Sequence, residues 1–290
     1  MKQLLDRVPD ALRMIIAVSR AVSDDDFIHR KVLLKVMGEL ADAGDLGANP
    51  ADMYFDCWEA ACRSLNVRDP YEKEKARGNK TALGILKSLY ERSTSDGNLL
   101  KGAIKISLAG AMITFNGLGR SDIEEKIGHY YNAEPARNDS EQLIADIAKA
   151  ATVMVVADRA GEIAMDRPLC EYLVSKGKKV YLAVTARPVF SMATEKDAET
   201  AGYTAAVEIV SPGTAMYGLV QERASSQFRE CLNAADLIIA KGDTHFCAMS
   251  PQDNLYYIAR AEDETVAERL EIPVGGGAIA KCMEQEQPRR

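Results

Sequence analysis

From residue 151 onward the sequence alternates between short valine-rich apolar runs and helical stretches, and this alternation leaves few folds open. The runs are TVMVVA (152–157), KVYLAVTA (179–186), AVEIV (206–210) and DLIIAKG (236–242), with NLYYIA and AIAKCM completing the set. Between the first four lie GEIAMDRPLCEYLVSKG, TEKDAETAG and SSQFRECLNAA, which read as helices. Strands joined by crossovers of this length run parallel, with right-handed connections. The expected fold class is therefore α/β, a mostly parallel Rossmann-like sheet flanked by helices, over residues 151–290. Residues 1–150 carry helical periodicity almost throughout and read as an all-helical subdomain. Within it, DFIHRKVLLKVMGELADAG has Gly44 as its closing cap, Asn49-Pro50 opens another helix, and LKGAIKISLAGAMITF is a buried one. No long linker separates the halves, so the helices are expected to pack on the sheet as one body.

In such sheets ligands bind at the carboxyl ends of the strands. That rule selects four segments. In ADRAGEIAMD, Asp158 stands at a strand end and Gly161 permits a tight turn into a helix, so a carboxylate could meet a hard divalent cation there. Glu162 and Asp166 share a face of that helix. The plainer reading of Asp158 is a helix N-cap. In TARPVFSMATEKDAE, Pro188 holds the chain extended after Arg187, and Asp197 lies on the next helix. Asp197 is either aimed at Asp158 or a solvated member of a charged run. In DLIIAKGDTHF, Lys241 and Asp243 suggest a cation on a mobile loop suited to a phosphate, and His245 reads as a partly buried loop histidine. In SPGTAMYG, Gly213, Thr214 and Gly218 could form an anion-accepting turn.

Composition narrows the function classes. The chain has 36 basic and 43 acidic residues, a net charge of −7, and no basic block, which argues against a nucleic-acid partner. Six scattered cysteines show no zinc-knuckle spacing and read as buried small hydrophobes in a reducing compartment. No stretch reaches the apolar length of a membrane span, and the N-terminal amphipathic segment carries charges a signal peptide would lack, so no membrane association and a cytoplasmic location are expected. There is no GxxxxGK loop, GxGxxG fingerprint or GxSxG elbow, and histidines only at 29, 129 and 245 disfavour a Ser-His-Asp triad.

In combination, DRAGE (158–162), ARPVFSMATEKDA (186–198), ADLIIAKGD (235–243), DPYEKEKARGN (69–79) and LKGAIKISLAGAMITF (100–115) resemble the damage-control phosphatase family, also called domain of unknown function 89. The likeness spans roughly residues 50 to 282. It implies a hydrolase that removes phosphate from small phosphorylated metabolites such as sugar phosphates, using Mg²⁺ or Mn²⁺, with Co²⁺ or Ni²⁺ as alternatives. Carried over residue by residue, it makes Asp158 and Asp197 metal ligands and catalytic with Lys241. Beside them, the strand-end segments offer Arg159, Glu162, Arg187, Thr214, Lys241 and Asp243 as the substrate-binding set. The sequence departs from the family pattern in one direction. Arg159 stands where the family has Asn, Ser191-Met192 where it commonly has Asn-Asp, and Ala111 where it commonly has Asn. The N-terminal cysteine pair of many microbial members is absent. A guanidinium cannot ligate a metal, and beside one it repels the ion unless carboxylates surround both. Two readings follow: a metal-dependent phosphatase in which metal-activated water attacks, or a catalytically impaired relative that binds phosphometabolites without hydrolysing them.

Overall fold

The computed structural model describes residues 2–42, 50–95, 97–111, 120–215 and 217–282. The expected caps at Gly44 and Asn49 and the end of the LKGAIKISLAGAMITF segment lie outside these. Three helices come first, α1 (Lys2–Val22), α2 (Asp26–Asp42) and α3 (Pro50–Leu65). Three more follow as α4 (Glu72–Ser95), α5 (Leu99–Gly110) and α6 (Arg120–Asn132). The chain then enters the sheet through β1 (Arg137–Asn138), α7 (Ser140–Lys149) and β2 (Thr152–Val156). It continues through α8 (Glu162–Ser175), β3 (Lys179–Ala183), α9 (Glu195–Ala201) and β4 (Val207–Val210). Last come α10 (Ser226–Asn233), β5 (Leu237–Lys241), α11 (Gly242–Ala248), β6 (Leu255–Arg260), α12 (Glu264–Leu270) and β7 (Gly277–Lys281).

The seven strands are ordered β1-β7-β6-β5-β2-β3-β4, all neighbours parallel except β6 with β7. The chain leaves β2 toward β3 on one side and returns to β5 on the other, so the switch point of the sheet lies between β2 and β5. One core covers the sheet face under α4, α5, α6 and α8, uniting Leu86, Ile104 and Ile127 with Val155, Ile239 and Ile258. This shared core fuses the helical and α/β parts. β1, which lies ahead of residue 150, pairs with β7 at the sheet edge. The opposite sheet face buries Met154, Tyr257, Phe228 and Leu270. A third cluster joins α1, α2 and α3 to the loop after β3, with Trp58 donating to the Pro188 carbonyl at 3.1 Å. No helix among the described residues is long and apolar enough to cross a membrane.

Candidate functional site

The backbone just past β2 is pinned to the loop before α9. Ala193 N–H donates to the Asp158 carbonyl and Ala160 N–H to the Ser191 carbonyl, each at 2.8 Å, so Arg159 and Met192 face each other as bridge partners. Asp158 itself is buried, with Thr244 Oγ1 donating to its Oδ1 at 2.5 Å. Gly242, at φ +76°, makes room for it, since a Cβ there would stand 2.0 Å from Asp158 Oδ2. That position must be glycine both for its conformation and for the carboxylate packed on it.

Around Arg159 three carboxylates converge. Its Nε lies 3.5 Å from Asp158 Oδ2, and its Nη2 donates to Asp243 Oδ1 at 3.3 Å. Glu262 takes the outer edge as a fork, with Nη1 donating to Oε1 at 2.7 Å and Nη2 to Oε2 at 3.2 Å. Burial pushes the Asp158 carboxyl well above the usual carboxylate range, and Arg159 offsets only part of that. Burial likewise raises Asp243 to about 7 against the pull of Arg159, with Glu262 and Asp263 adding repulsion. For Glu262 burial pushes upward too, but the charge and hydrogen bonds of Arg159, helped by Arg260, hold it below its ordinary value. One guanidinium therefore stabilises a pocket that would otherwise concentrate negative charge.

The N-terminal helices roof this cluster. Tyr217, whose phenol is pushed up chiefly by burial and feels the charges of Arg159, Asp243, Asp158 and Glu262, packs on Tyr54 of α3 and on Phe190 with ring centroids 5.1 Å apart in each case. Arg7 of α1 pairs with Asp263, the residue after Glu262.

The other expected site residues go elsewhere. Lys241 is not on a mobile loop, which corrects that expectation. It ends β5 with no exposed surface, its Nζ 2.9 Å from Glu162 Oε1 and 3.1 Å from Asp166 Oδ1, and it donates to the Ser107 carbonyl at 2.8 Å. Burial alone would lower its pKa, but Asp166 and Glu162 outweigh that and raise it. Burial raises Asp166 to about 6, with Lys241 opposing. Lys241 and Glu162 thus lock β5 to α5 and α8 and offer nothing to a ligand. The KGDTHF segment is helical rather than a loop, as α11.

Asp197 is not a solvated helix residue. It is buried as the third residue of α9, where its Oδ2 accepts from the Thr194 N–H at 2.9 Å and the Thr194 hydroxyl at 2.7 Å, a reciprocal capping box. Lys75 Nζ lies 3.2 Å from the same oxygen, and Asn79 Nδ2 donates to Oδ1 at 2.9 Å. Arg187 is exposed and spent on Glu59 at 3.4 Å and on the Phe55 ring, while Thr214 is exposed on its turn. Gly218 serves close packing, since a Cβ would meet the Thr244 carbonyl oxygen at 2.6 Å. His245 is buried and neutral, with Nε2–H donating to the Ala157 carbonyl and Nδ1 accepting from Leu219 N–H, each at 3.0 Å; burial brings it down to about 4.

Of the expected residues, then, Asp158, Arg159 and Asp243 are brought together. Sequence reading assigned no role to Glu262, Thr244, Tyr217, Lys75 or Asn79, although all but Glu262 lie in segments it singled out. Glu262 was findable, because it follows the carboxyl end of β6, where the strand-end rule applies equally.

The residues present do not fit a divalent ion. Of the two expected ligands, Asp197 already holds Lys75, and a permanent cation, Arg159, stands beside Asp158. Among the described residues no group of three or more His, Cys, Asp or Glu side chains could hold a metal.

Residues 4–276 match the model of the damage-control phosphatase ARMT1-like domain. An uncharacterized protein of Methanocaldococcus jannaschii is 27% identical over 93% of this chain and 92% of its own length. Damage-control phosphatases of Pyrococcus horikoshii and Archaeoglobus fulgidus are 26% and 27% identical, over 89% and 90% of this chain and 90% and 92% of theirs. The crystal structure of a DUF89 family protein from Pyrococcus horikoshii superposes with a TM-score of 0.84 at 22% identity, covering 96% of this chain and 98% of that one.

Proposed function

We propose that this chain, which belongs to the damage-control phosphatase ARMT1-like family, binds the phosphate group of a small phosphorylated metabolite through Arg159 and does so without a divalent metal. Relatives carry the name damage-control phosphatase, so phosphatase action on damaged metabolites is the family-level activity. The observation that carries the proposal is the Arg159 guanidinium at the switch point, fixed by Asp158 and Asp243 with its fork turned to Glu262. A guanidinium so held matches two phosphoryl oxygens at once. Asp243, raised to about 7, can in its protonated form donate to a third. Arg159 thereby supplies the positive charge that a metal ion would bring, while no group near it is poised to activate water by ligation. The catalytically impaired reading is preferred over metal-dependent hydrolysis on that ground.

The test uses a sugar monophosphate. Calorimetry in EDTA is expected to give saturable binding that Arg159→Gln removes, and turnover assays with Mg²⁺, Mn²⁺, Co²⁺ or Ni²⁺ are expected to show no metal stimulation. Metal-dependent turnover abolished by Asp158→Ala would instead establish the hydrolase reading.

A further inference from the structure

Glu262 meets Arg159 in the geometry that a phosphate would use. Its two oxygens sit on Nη1 and Nη2 at 2.7 and 3.2 Å, the parallel fork that carboxylates and phosphates share. The remaining partners of the guanidinium are more enclosed: the Asp158 side chain is 1% exposed and that of Asp243 is 14%, against 34% for Glu262. Glu262 is thus the most exposed member of the trio, on the short segment between β6 and α12. The next residue, Asp263, is held by Arg7 and caps α12 by accepting from the Val266 N–H at 2.9 Å, which anchors the backbone beside Glu262.

We infer that Glu262 is a resident carboxylate occupying the phosphate seat of Arg159, and that a phosphorylated ligand binds by displacing it into solvent. The inference rests on the anion-binding reading of Arg159 given above. It makes Glu262 a determinant of ligand strength and charge. A neutral or singly charged competitor exchanges poorly for a forked carboxylate. A phosphate monoester, with more charge and three terminal oxygens, exchanges better and engages Asp243 as well. The unliganded cluster sets three carboxylates against one guanidinium, with Asp263 and Glu162 nearby on the acidic side and Arg7 and Arg260 on the basic side. Sending Glu262 to water leaves the inner pair, Asp158 and Asp243, to hold the guanidinium in place.

The experiment is isothermal titration of inorganic phosphate in EDTA at fixed ionic strength, on the wild type, Glu262→Gln, Glu262→Ala and Arg159→Gln. Removing a forked, charge-assisted competitor is expected to tighten phosphate binding roughly tenfold in both Glu262 variants. Arg159→Gln is expected to bind no phosphate. If Arg159→Gln loses binding but the Glu262 variants bind no tighter than wild type, the displacement idea falls and the Arg159 seat survives. If Arg159→Gln binds like wild type, or no protein binds, both fall. Should Glu262→Ala fold poorly by circular dichroism, Glu262→Gln decides, since its amide can still accept one guanidinium hydrogen bond.

Discussion

Lys241 ends a strand whose alternate residues Leu237 and Ile239 point into the core beneath α5 and α8, and by the two-residue period of a strand it must point the same way. Its ammonium is buried with Glu162 and Asp166, so Lys241→Met leaves two interior carboxylates without their cation. The expected loss is about 3–5 kcal/mol in urea unfolding, with phosphate affinity at Arg159 little changed in the folded fraction. Here the sequence did contain the answer. The parity of the DLIIAK run places Lys241 opposite in sense to Ile238 and Ala240, but a Lys-Gly-Asp string reads more readily as a surface loop. Asp158 was legible because strand ends in parallel sheets are ligand positions whatever their neighbours. His245 gives a second test at this scale. Its folded pKa of about 4 lies below the unfolded value near 6.5, so the unfolded chain binds the extra proton first and stability is lost as pH falls through that window. The loss approaches 2–3 kcal/mol by the bottom of the window. Denaturation midpoints measured from pH 7 to 4.5 should fall more steeply for the wild type than for His245→Gln; parallel slopes would refute a neutral buried imidazole.

Helix α9 shows how an element can absorb a residue that looks catalytic. Thr194 and Asp197 form its capping box, Gly202 closes it at φ +81°, and all three lie in the TEKDAETAG string that reads as a helix. What no local pattern reveals is the far end of the Asp197 carboxylate, where α4 brings Lys75 and Asn79 from more than a hundred positions away. Asn79 also accepts the Gly161 N–H at 2.5 Å, so it ties α4 to α9 and to the turn that follows Asp158. Asn79→Ala should therefore destabilise by about 2–3 kcal/mol, the cost of leaving a buried donor and carboxylate oxygen unpaired, and should loosen Arg159 without touching it. Thermal melts together with the phosphate titration measure both. A melt within a degree of wild type would mean that the bridge contributes nothing.

Across the molecule, the order of strands and the shared core followed from the alternation after residue 151, since parallel strands need covered faces and long crossovers. The roof over the site did not. Arg7 meeting Asp263, and Tyr54 meeting Tyr217, are contacts between the first helices and the last third of the chain, set by packing rather than by any spacing. The same holds for the assembly of Asp158, Asp243 and Glu262 around one guanidinium, drawn from the ends of three strands. That assembly is central to the proposal that Arg159, in place of a metal, is the cation of the site. The direct measurement is a titration of Mn²⁺ followed by its electron paramagnetic resonance signal, which is lost from the free-ion spectrum on binding. The wild type is expected to leave Mn²⁺ free at one equivalent and in modest excess. One tightly held Mn²⁺ per chain, released by Asp158→Asn, would contradict the account.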